Sequence, residues 1–596
     1  MKFFKLYSLA LAGALMLGAC SSSDDLKDGG ATANEGKSYI AVNIKSVGTA
    51  GAGTRADGDY TQGGGTYEDG TANEGAISAV RFFFFNSDGS AYIMKNKTVN
   101  YLDLDASVSS AGDAGHLLTI EGKTTAMLVI DGETKTAPAY MIAVVNPKTL
   151  SKLGDKAYRE SQLRDEFTDQ SFVKITTDGT GNKQYGDFVM SNSVYAENGA
   201  RVCASSVSGH VEGTSDAATK NPVDIYVERV VAKATTNVNT AKGWEQIASG
   251  ADNGKYKIKV GKINIDAEHE KDVYAVVQGW GLADENERAE LEKQIDVSSN
   301  NWTSTTLGID PWTTPDYHRC FWSASVPFTP SSGSNPIKNH AFSAFTTPFG
   351  TTPLYTCPNT LSYEEFKASN NYEKPYENTL TKVLVAAKLV YYDDDNNSHP
   401  ADICKYRGIQ ILGADNVLKQ VAKDHSEYWT VDPTNPSKHV LLAHTDLEYT
   451  RTNLTGSETD KLKSYEVRPV LKAGVKVYKK KSDGSGSFET TDSNDELNNS
   501  LAQSPVQVRK DGMTYYFTPI RHLAQNKTEM GYYGVVRNHS YRITINTISG
   551  FGTPVYNPDE VIDPVIPKDT ETYLAARINV LSWRVVTSSV DLDATK

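Results

Sequence analysis

The sequence predicts a mostly β protein built from β-sandwiches, with short helices and long loops. Short runs rich in β-branched and aromatic residues recur along the chain between turn residues, whereas helical patterns are few. The 596 residues are 39% hydrophobic and 10% aromatic, which is enough to form the cores of several domains. Many short strands with few helices are typical of β-sandwiches and argue against an α/β fold.

The N-terminus has the features of an export signal. Lysines precede an apolar stretch at residues 6–17, and small residues come directly before Cys20. A membrane-spanning helix needs about 20 apolar residues, which is more than this stretch supplies. The pattern Leu17-Gly18-Ala19-Cys20 is typical of a lipobox. We therefore expect residues 1–19 to be a signal peptide and Cys20 to be lipidated.

The composition gives no sign of an enzyme, a cofactor site, a metal centre or a nucleic-acid-binding surface. A net charge of −13 argues against binding of a phosphate backbone. The sequence contains neither a His-Glu-x-x-His nor a Gly-x-Ser-x-Gly pattern. The cysteines other than Cys20 show no Cys-x-x-Cys spacing, and their pairing stays open. They are Cys203, Cys320, Cys357 and Cys404.

An apolar strand is predicted near the N-terminus, followed by an exposed flexible loop. Within residues 38–45, Ile40, Val42 and Ile44 alternate with more polar residues, and we assign Tyr39 to the same strand. Residues 48–75 are rich in glycine, threonine, alanine and aspartate and lack apolar periodicity. Arg55 lies within this loop.

Further strand-like runs follow the loop, and helical patterns are predicted in only a few places. The strands are at residues 80–85, 126–130, 140–145, 188–190, 223–231, 256–265, 273–277, 382–392, 440–442, 515–518 and 541–548. The helices are at residues 150–167, 284–295 and 363–368. A change of composition at residues 233–243 indicates a boundary between two sandwiches.

The C-terminal region is predicted to be a linker followed by a strand. Prolines are spaced through residues 549–568, which favours an extended, stiff chain. Residues 576–586 are strongly β-prone. The apolar residues of this predicted strand are Ile578, Val580, Leu581, Trp583 and Val585.

These features together suggest a mechanism of self-association. A cut in the loop behind the N-terminal strand would let that strand leave, and its loss would open an apolar groove with unpaired backbone groups. The C-terminal strand of another copy could fill this groove by β-strand addition. The 22-residue linker 551–572 would span up to about 70 Å, at ~3.3 Å per residue, which is enough to reach a neighbour.

Several sequence blocks keep the order found in a known family. They are the lipobox, the N-terminal strand followed by Arg55, Val227-Glu228-Arg229-Val230-Val231-Ala232-Lys233, Val536-Arg537-Asn538-His539-Ser540-Tyr541-Arg542-Ile543 and Ile578-Asn579-Val580-Leu581-Ser582-Trp583-Arg584-Val585. Together they span nearly the whole chain. In this order the sequence resembles the Mfa-type fimbrillins of Bacteroidetes, the shaft subunits of type V pili.

The resemblance implies two transthyretin-like β-sandwich domains, at residues 56–235 and 236–550. It implies a lipidated propeptide at 20–55, and a linker with a C-terminal donor strand at 551–596. Cleavage between Arg55 and Ala56 by an arginine-specific surface protease would release the lipid, so that the membrane holds the precursor only temporarily.

Head-to-tail polymerisation is the function that the resemblance implies. The donor strand would occupy the groove left by Tyr39, Ile40, Val42 and Ile44 of a neighbouring copy. The implied partners are other copies of the chain and the anchor and tip pilins. The implied location is the outer membrane surface and then extracellular fimbriae, which serve adhesion and biofilm formation.

Two alternatives stay open on the sequence alone. A processed accessory subunit with a donor strand would look like a shaft subunit. A permanently anchored lipoprotein that binds glycans would use an aromatic stacking platform, although such residues more often form a core or an interface. The aromatic group in question is Trp302, Trp312, Tyr317, Phe321, Trp322 and Phe328.

Overall fold

A computed structural model describes most of the chain. The described residues are 37–46, 70–106, 115–120, 123–131, 137–165, 168–169, 171–179, 183–195, 202–265, 269–295, 320, 322–325, 337–350, 352–368, 379–452, 462–524, 526, 528–562, 564, 576–580 and 584–592. They form a mostly β structure with several sheets, which confirms the predicted fold class. Within these residues, no helix has both the length and the apolar character needed to cross a membrane.

The N-terminal part consists of strands and short helices around one core. Its strands are β1 (Lys37–Ser46), β2 (Ala79–Phe85), β3 (Tyr101–Asp105), β4 (Gly115–Ile120), β5 (Lys123–Asp131), β6 (Tyr140–Val145), β7 (Thr168–Asp169), β8 (Lys174–Thr177), β9 (Lys183–Gly186), β10 (Met190–Asn192), β11 (Ser205–Ser206) and β12 (Val223–Arg229). Its helices are α1 (Ala72–Gly75), α2 (Glu160–Asp165) and α3 (Ser215–Lys220).

Most of these strands belong to one sheet, in the order β3-β2-β6-β10-β12-β1-β5-β4. The pair β1–β12 is parallel, and the other neighbouring pairs on this path are antiparallel. Strand β2 is buried along its whole length because it carries four successive phenylalanines. Side chains of β1, β2, β5, β6 and β12 form the first core, with Ile40, Phe82, Leu128, Val144 and Ile225 among its members.

The chain then enters a second set of strands. They are β13 (Ala232–Val238), β14 (Glu245–Gln246), β15 (Tyr256–Asn264), β16 (Glu270–Ala283), β17 (Glu285–Asn286), β18 (Ala289–Glu290), β19 (Ile337–Lys338), β20 (Leu354–Thr356), β21 (Lys382–Tyr392) and β22 (Ser398–Pro400). Helix α4 (Tyr363–Ala368) has the bounds that the sequence predicts.

An insertion of smaller elements follows β22. Its strands are β23 (Ile403–Tyr406), β24 (Ile409–Leu412), β25 (Tyr428–Asp432), β26 (Asn435–Leu441), β27 (Leu447–Thr450), β28 (Glu466–Leu471), β29 (Val477–Lys479) and β30 (Val506–Val508). Its helices are α5 (Ala414–Asp424) and α6 (Asn494–Ala502). They enclose the third core, which includes Cys404, Val417, Val467, Leu497 and Val506.

The chain returns to the second set with β31 (Met513–Pro519), β32 (His539–Ile548), β33 (Thr553–Pro554), β34 (Ala576–Val580) and β35 (Arg584–Leu592). One sheet has the order β14-β15-β16-β21-β31-β33 and another the order β20-β13-β32-β34-β35. The second core contains buried side chains of both sheets, such as Val273 and Val385 from one and Ala234 and Ile543 from the other. This part is therefore a β-sandwich.

The predicted helix at residues 284–295 is wrong. Two short strands lie there instead, β17 paired with β19 and β18 paired with β7. Tertiary contacts of buried charged groups override the local helical pattern: Asp284 pairs with Lys382, and Lys293 lies 3.2 Å from Glu228. Among the described residues of the helix predicted at 150–167, the α-helical part is α2.

Two predicted flexible segments are partly ordered by packing. The end of the loop 48–75 forms α1, in which Glu74 is buried. The predicted linker is packed against the sandwich over residues 551–562, because β33 pairs with β31 and both Val555 and Ile562 are buried. Pro564 is buried as well, so the predicted linker is packed at least as far as Pro564.

Candidate functional site

Strand β1 lies inside the first sheet and is paired along both of its edges. Residues Lys37 to Ile44 pair with β5 in antiparallel register, with Val42 opposite Ala126. Residues Val42 to Ser46 pair with β12 in parallel register, with Val42 opposite Val223. Edge strands are the usual candidates for exchange, whereas removal of this strand would leave one edge of β5 and one edge of β12 unpaired.

The inward side chains of β1 belong to the first core. Ile40 is 0% exposed, Val42 1% and Ile44 5%. The sequence predicts these inward positions correctly from their alternation. Full burial of such a side chain contributes about 1.5–3 kcal/mol each, so the strand is a substantial part of the core.

Two outward side chains of β1, those of Tyr39 and Ala41, lie under a second layer. Ala41 packs with Met127 of β5 and Ala218 of α3, and Tyr39 packs against this small cluster. Asn43 Nδ2 donates a hydrogen bond of 2.9 Å to Asp224 Oδ1 on β12. The strand is thus enclosed by the core, by two neighbouring strands and by α3.

Removal of β1 would create a slot between β5 and β12. Adjacent strands are ~4.8 Å apart, so the two remaining edges would face each other across about 10 Å. Side chains such as Leu128 and Ile225, each 0% exposed, would line its floor. A gap of this width accommodates one extended strand, with backbone partners on both sides. We call it the β1 slot.

Helix α1, beyond Arg55 in the sequence, is fixed by a buried ion pair. Glu74 is 1% exposed, and its Oε1 lies 2.7 Å from Lys233 Nζ and accepts a 2.5 Å hydrogen bond from the Tyr355 hydroxyl. Arg229 Nε donates to the Glu74 carbonyl oxygen at 2.7 Å. Burial alone raises the pKa of Glu74, but the nearby Lys233 and these hydrogen bonds outweigh it, so the pKa lies below its ordinary value.

The two central blocks of the sequence resemblance meet beside this ion pair. Strand β13 pairs in parallel with β32, with Lys233 opposite Ser540. Arg229 Nη1 donates to Asn538 Oδ1 at 3.2 Å. Arg537, 3% exposed, donates to the carbonyl oxygens of Leu291 and Glu290. The blocks therefore form a buried polar junction between the first and second cores.

The C-terminal strands pair with the chain's own second sandwich. Strand β34 is antiparallel to β32, with Ile578 opposite Ile543, and β35 pairs with both β34 and β32. Within β34–β35, Val580 is opposite Val585. Of the predicted donor residues, Leu581 and Trp583 lie outside the described residues. The structure thus brings this segment to β32 and away from the β1 slot of the same chain.

The structure tests the remaining predicted positions only in part. Cys20, Arg55 and Ala56 lie outside the described residues, as do the members of the aromatic group other than Trp322. Trp322 is 1% exposed and its Nε1 donates to the Leu361 carbonyl oxygen at 3.0 Å, so it belongs to a core and does not form a platform.

Sequence reasoning missed Glu74 and α3. The Thr71–Glu74 capping box is a local signal for α1. Nothing local indicates the partners of Glu74, since Lys233 and Tyr355 are distant in sequence.

Comparison with known proteins gives a family match at the C-terminal end. Residues 508–589 match the C-terminal model of fimbrillin, the major fimbrial subunit protein type IV. A solved fimbrial assembly protein from Parabacteroides distasonis is similar at 10% identity, over 61% of this chain and 84% of that chain, with a TM-score of 0.24. A search of curated proteins gave no match.

The matched segment contains β31, β32, β33 and β34 and most of β35. It includes two of the blocks that carry the sequence resemblance, the one at the start of β32 and the C-terminal one. Over this segment the chain is similar to the C-terminal part of fimbrillin, the major fimbrial subunit.

Proposed function

We propose that the chain is a shaft subunit of a surface fimbria, assembled by strand exchange at the β1 slot. The observation that carries the proposal is the place of β1, an interior strand of the first sheet with Arg55 in the chain just behind it. A cut after Arg55 separates β1 from the rest of the chain without touching α1. The empty slot between β5 and β12 can then accept one extended strand.

The buried ion pair of Glu74 supports this role for Arg55. It anchors the retained chain at α1, so the loss of residues before Ala56 would not loosen the junction between the two cores. The division into sandwiches at 56–235 and 236–550 belongs to the same proposal. The change from first-core to second-core side chains between Val231 and Ala232 supports it.

The C-terminal strand of a neighbouring copy is the proposed donor. In the single chain, β34 and β35 pair with β32. This arrangement would be a closed form, and the two strands would detach from β32 during assembly. The chain between Pro564 and Ala576 comprises 11 residues and spans up to about 40 Å when extended. This is shorter than the reach expected from a 22-residue linker, yet longer than a typical domain radius.

Lipidation at Cys20 would deliver the precursor to the outer membrane surface and hold it there until the cut. An arginine-specific protease would then release residues 20–55 together with the lipid. Open head-to-tail contacts give filaments, because nothing closes them into a ring. Anchor and tip pilins would terminate the filament at its two ends.

The direct test is the substitution Arg55→Ala in cells that carry the protease. We expect a folded, lipidated precursor that does not form filaments, whereas Arg159→Ala, an exposed arginine elsewhere, should assemble normally. Removal of residues 576–596 should give processed monomers instead. N-terminal sequencing of sheared material should begin at Ala56. Normal filaments from Arg55→Ala, or a mature N-terminus at Cys20, would contradict the proposal.

A further inference from the structure

The outward face of β1 is covered by residues 209–221, which we call the latch. The latch contains α3, and its Ala218 is 0% exposed against Ala41, which is 7% exposed. Thr214 caps α3, since its hydroxyl accepts a hydrogen bond from the Ala217 amide. Ala41, Met127 and Ala218 form one buried cluster, so a bulky side chain at position 41 would have to displace packed neighbours.

Asn221 closes the latch on itself. Its Nδ2 donates hydrogen bonds of 2.7 Å to the Gly209 carbonyl oxygen and 2.9 Å to Glu212 Oε1. His210 Nδ1 lies 3.1 Å from the Asn221 carbonyl oxygen. The two ends of the latch are therefore tied together, and the segment can cover the strand as one unit.

The latch also binds the backbone of β1 directly. The Tyr39 amide donates to the Glu212 carbonyl oxygen at 2.8 Å, and the Glu212 amide donates to the Tyr39 carbonyl oxygen at 2.9 Å. Tyr39 is paired with Val129 of β5 on its other edge. This end of the strand is thus held on both edges and from above.

At the opposite end of β1, the last two residues are held along one edge. Lys45 and Ser46 pair with Tyr226 and Val227 of β12, whereas the pairing with β5 ends at Ile44. This is the end that leads to Arg55. Strands separate most readily where the fewest hydrogen bonds must break together, and the cut adds a free chain end here, so we expect opening to begin at Lys45 and Ser46.

We propose that the latch retains β1 after the cut and selects the strand that replaces it. Release begins at Ser46, beside the cut, and ends at Tyr39 under the latch. The incoming strand of a second copy follows in the same direction and must present a small side chain where Ala41 stands. This inference rests on the proposed function, because it describes the order and selectivity of the same exchange.

An engineered disulfide between β1 and the latch tests their contact. In Ala41→Cys/Ala218→Cys, oxidised glutathione should oxidise the two thiols to one disulfide, itself being reduced to two molecules of glutathione. A site-specific protease sequence in place of residues 51–55 then allows a defined cut. We expect the N-terminal peptide to stay attached without reductant and to leave after dithiothreitol is added. Each single cysteine variant serves as the matched control and should release the peptide under both conditions.

Weakening the latch should speed release of the N-terminal peptide, whereas the disulfide prevents it. Asn221→Ala removes two hydrogen bonds and should speed peptide release after the cut by about tenfold, which corresponds to about 1.4 kcal/mol. Asn253→Ala, an exposed asparagine in a distant turn, should leave the rate unchanged. In the cut protein, the backbone amides of Ile44–Ser46 should exchange hydrogen for deuterium faster than those of Tyr39–Ala41.

Selectivity can be measured with synthetic peptides added to the cut protein. A peptide of residues 37–46 should re-enter the slot, whereas the same peptide with Ala41→Trp should not. Unchanged release in Asn221→Ala together with entry of the Ala41→Trp peptide would overturn the latch. If the latch variants behave as expected but a peptide of residues 576–592 never enters the slot, the proposed donor is wrong and the latch stands.

Discussion

Glu74 shows how a single buried carboxylate can hold the junction of two cores. It is fully enclosed by Lys233, Tyr355 and Arg229, and its pKa is held below the ordinary value of 4.5. A carboxylate with a lowered pKa adds stability that is present above the pKa of the unfolded chain. That contribution is lost as the pH falls through the folded-state pKa.

The substitution Glu74→Gln should therefore destabilise the protein at neutral pH and weaken its pH dependence. We expect a loss of about 3 kcal/mol, because Lys233 is left buried without its counter-charge. The difference between the two proteins should narrow as the pH falls below the ordinary pKa of Glu74. Urea unfolding between pH 7 and 3 measures both effects.

Glu245→Gln is the matched control for this measurement. Glu245 lies 3.4 Å from Lys257, but its side chain is 62% exposed. Exposed pairs contribute little, so this variant should unfold like the parent protein. Equal stability of both variants would show that Glu74 does not hold the junction.

At the level of elements, the sequence predicts strands in which apolar and polar residues alternate. It misses elements that are ordered by residues distant in the sequence. Strand β1 follows from the alternation of Ile40, Val42 and Ile44, and β21 has the predicted bounds. Helix α5 could have been found, since Val417, Leu418, Val421 and Ala422 recur at helical spacing.

Other elements have no local signal. Proline spacing suggests a free linker, yet Val555 and Ile562 dock onto the second sandwich. The latch appears in the sequence as an ordinary polar loop, and only the fold places Ala218 over Ala41. For the candidate site, then, the sequence predicts β1, the strand that we propose to leave, but not the elements that hold it.

The β1 slot leads to a prediction about peptide binding. A protein that lacks residues 21–46 should be soluble but less stable, because β5 and β12 have lost their shared partner. Addition of a peptide of residues 37–46 should raise its melting temperature. At a concentration of about 100 times the Kd the gain is about 2.7 kcal/mol. Differential scanning fluorimetry measures the shift.

The inward positions provide the control for this experiment. The same peptide with Val42→Asp would bury a carboxylate in the first core, which is strongly unfavourable. It should leave the melting temperature unchanged. An equal shift with both peptides would mean that binding does not occur in the slot.

At the scale of the whole molecule, the third core and the β1 slot are formed by different residues. The insertion leaves and rejoins the second sandwich through adjacent antiparallel strands, with Cys404 opposite Val508 and Lys405 opposite Gln507. Arg509, just beyond it, is 5% exposed and donates to the Phe551 and Gly552 carbonyl oxygens. Arg509 thus ties the chain to residues of the second sandwich just after the insertion ends.

Excision of the third core should therefore leave the rest of the molecule folded. Joining Lys405 to Gln507 through Asn-Gly replaces residues 406–506 with a two-residue turn that suits this antiparallel pair. The shortened protein should keep its first and second cores, bind the 37–46 peptide after removal of β1, and lose one component of the calorimetric unfolding trace. Joining Lys405 to Glu466 instead removes α5 but keeps α6, so Leu497 and Leu501 lose their packing partners, and this control should aggregate. If the clean excision aggregates as well, the third core supports the second sandwich and is not an independent unit.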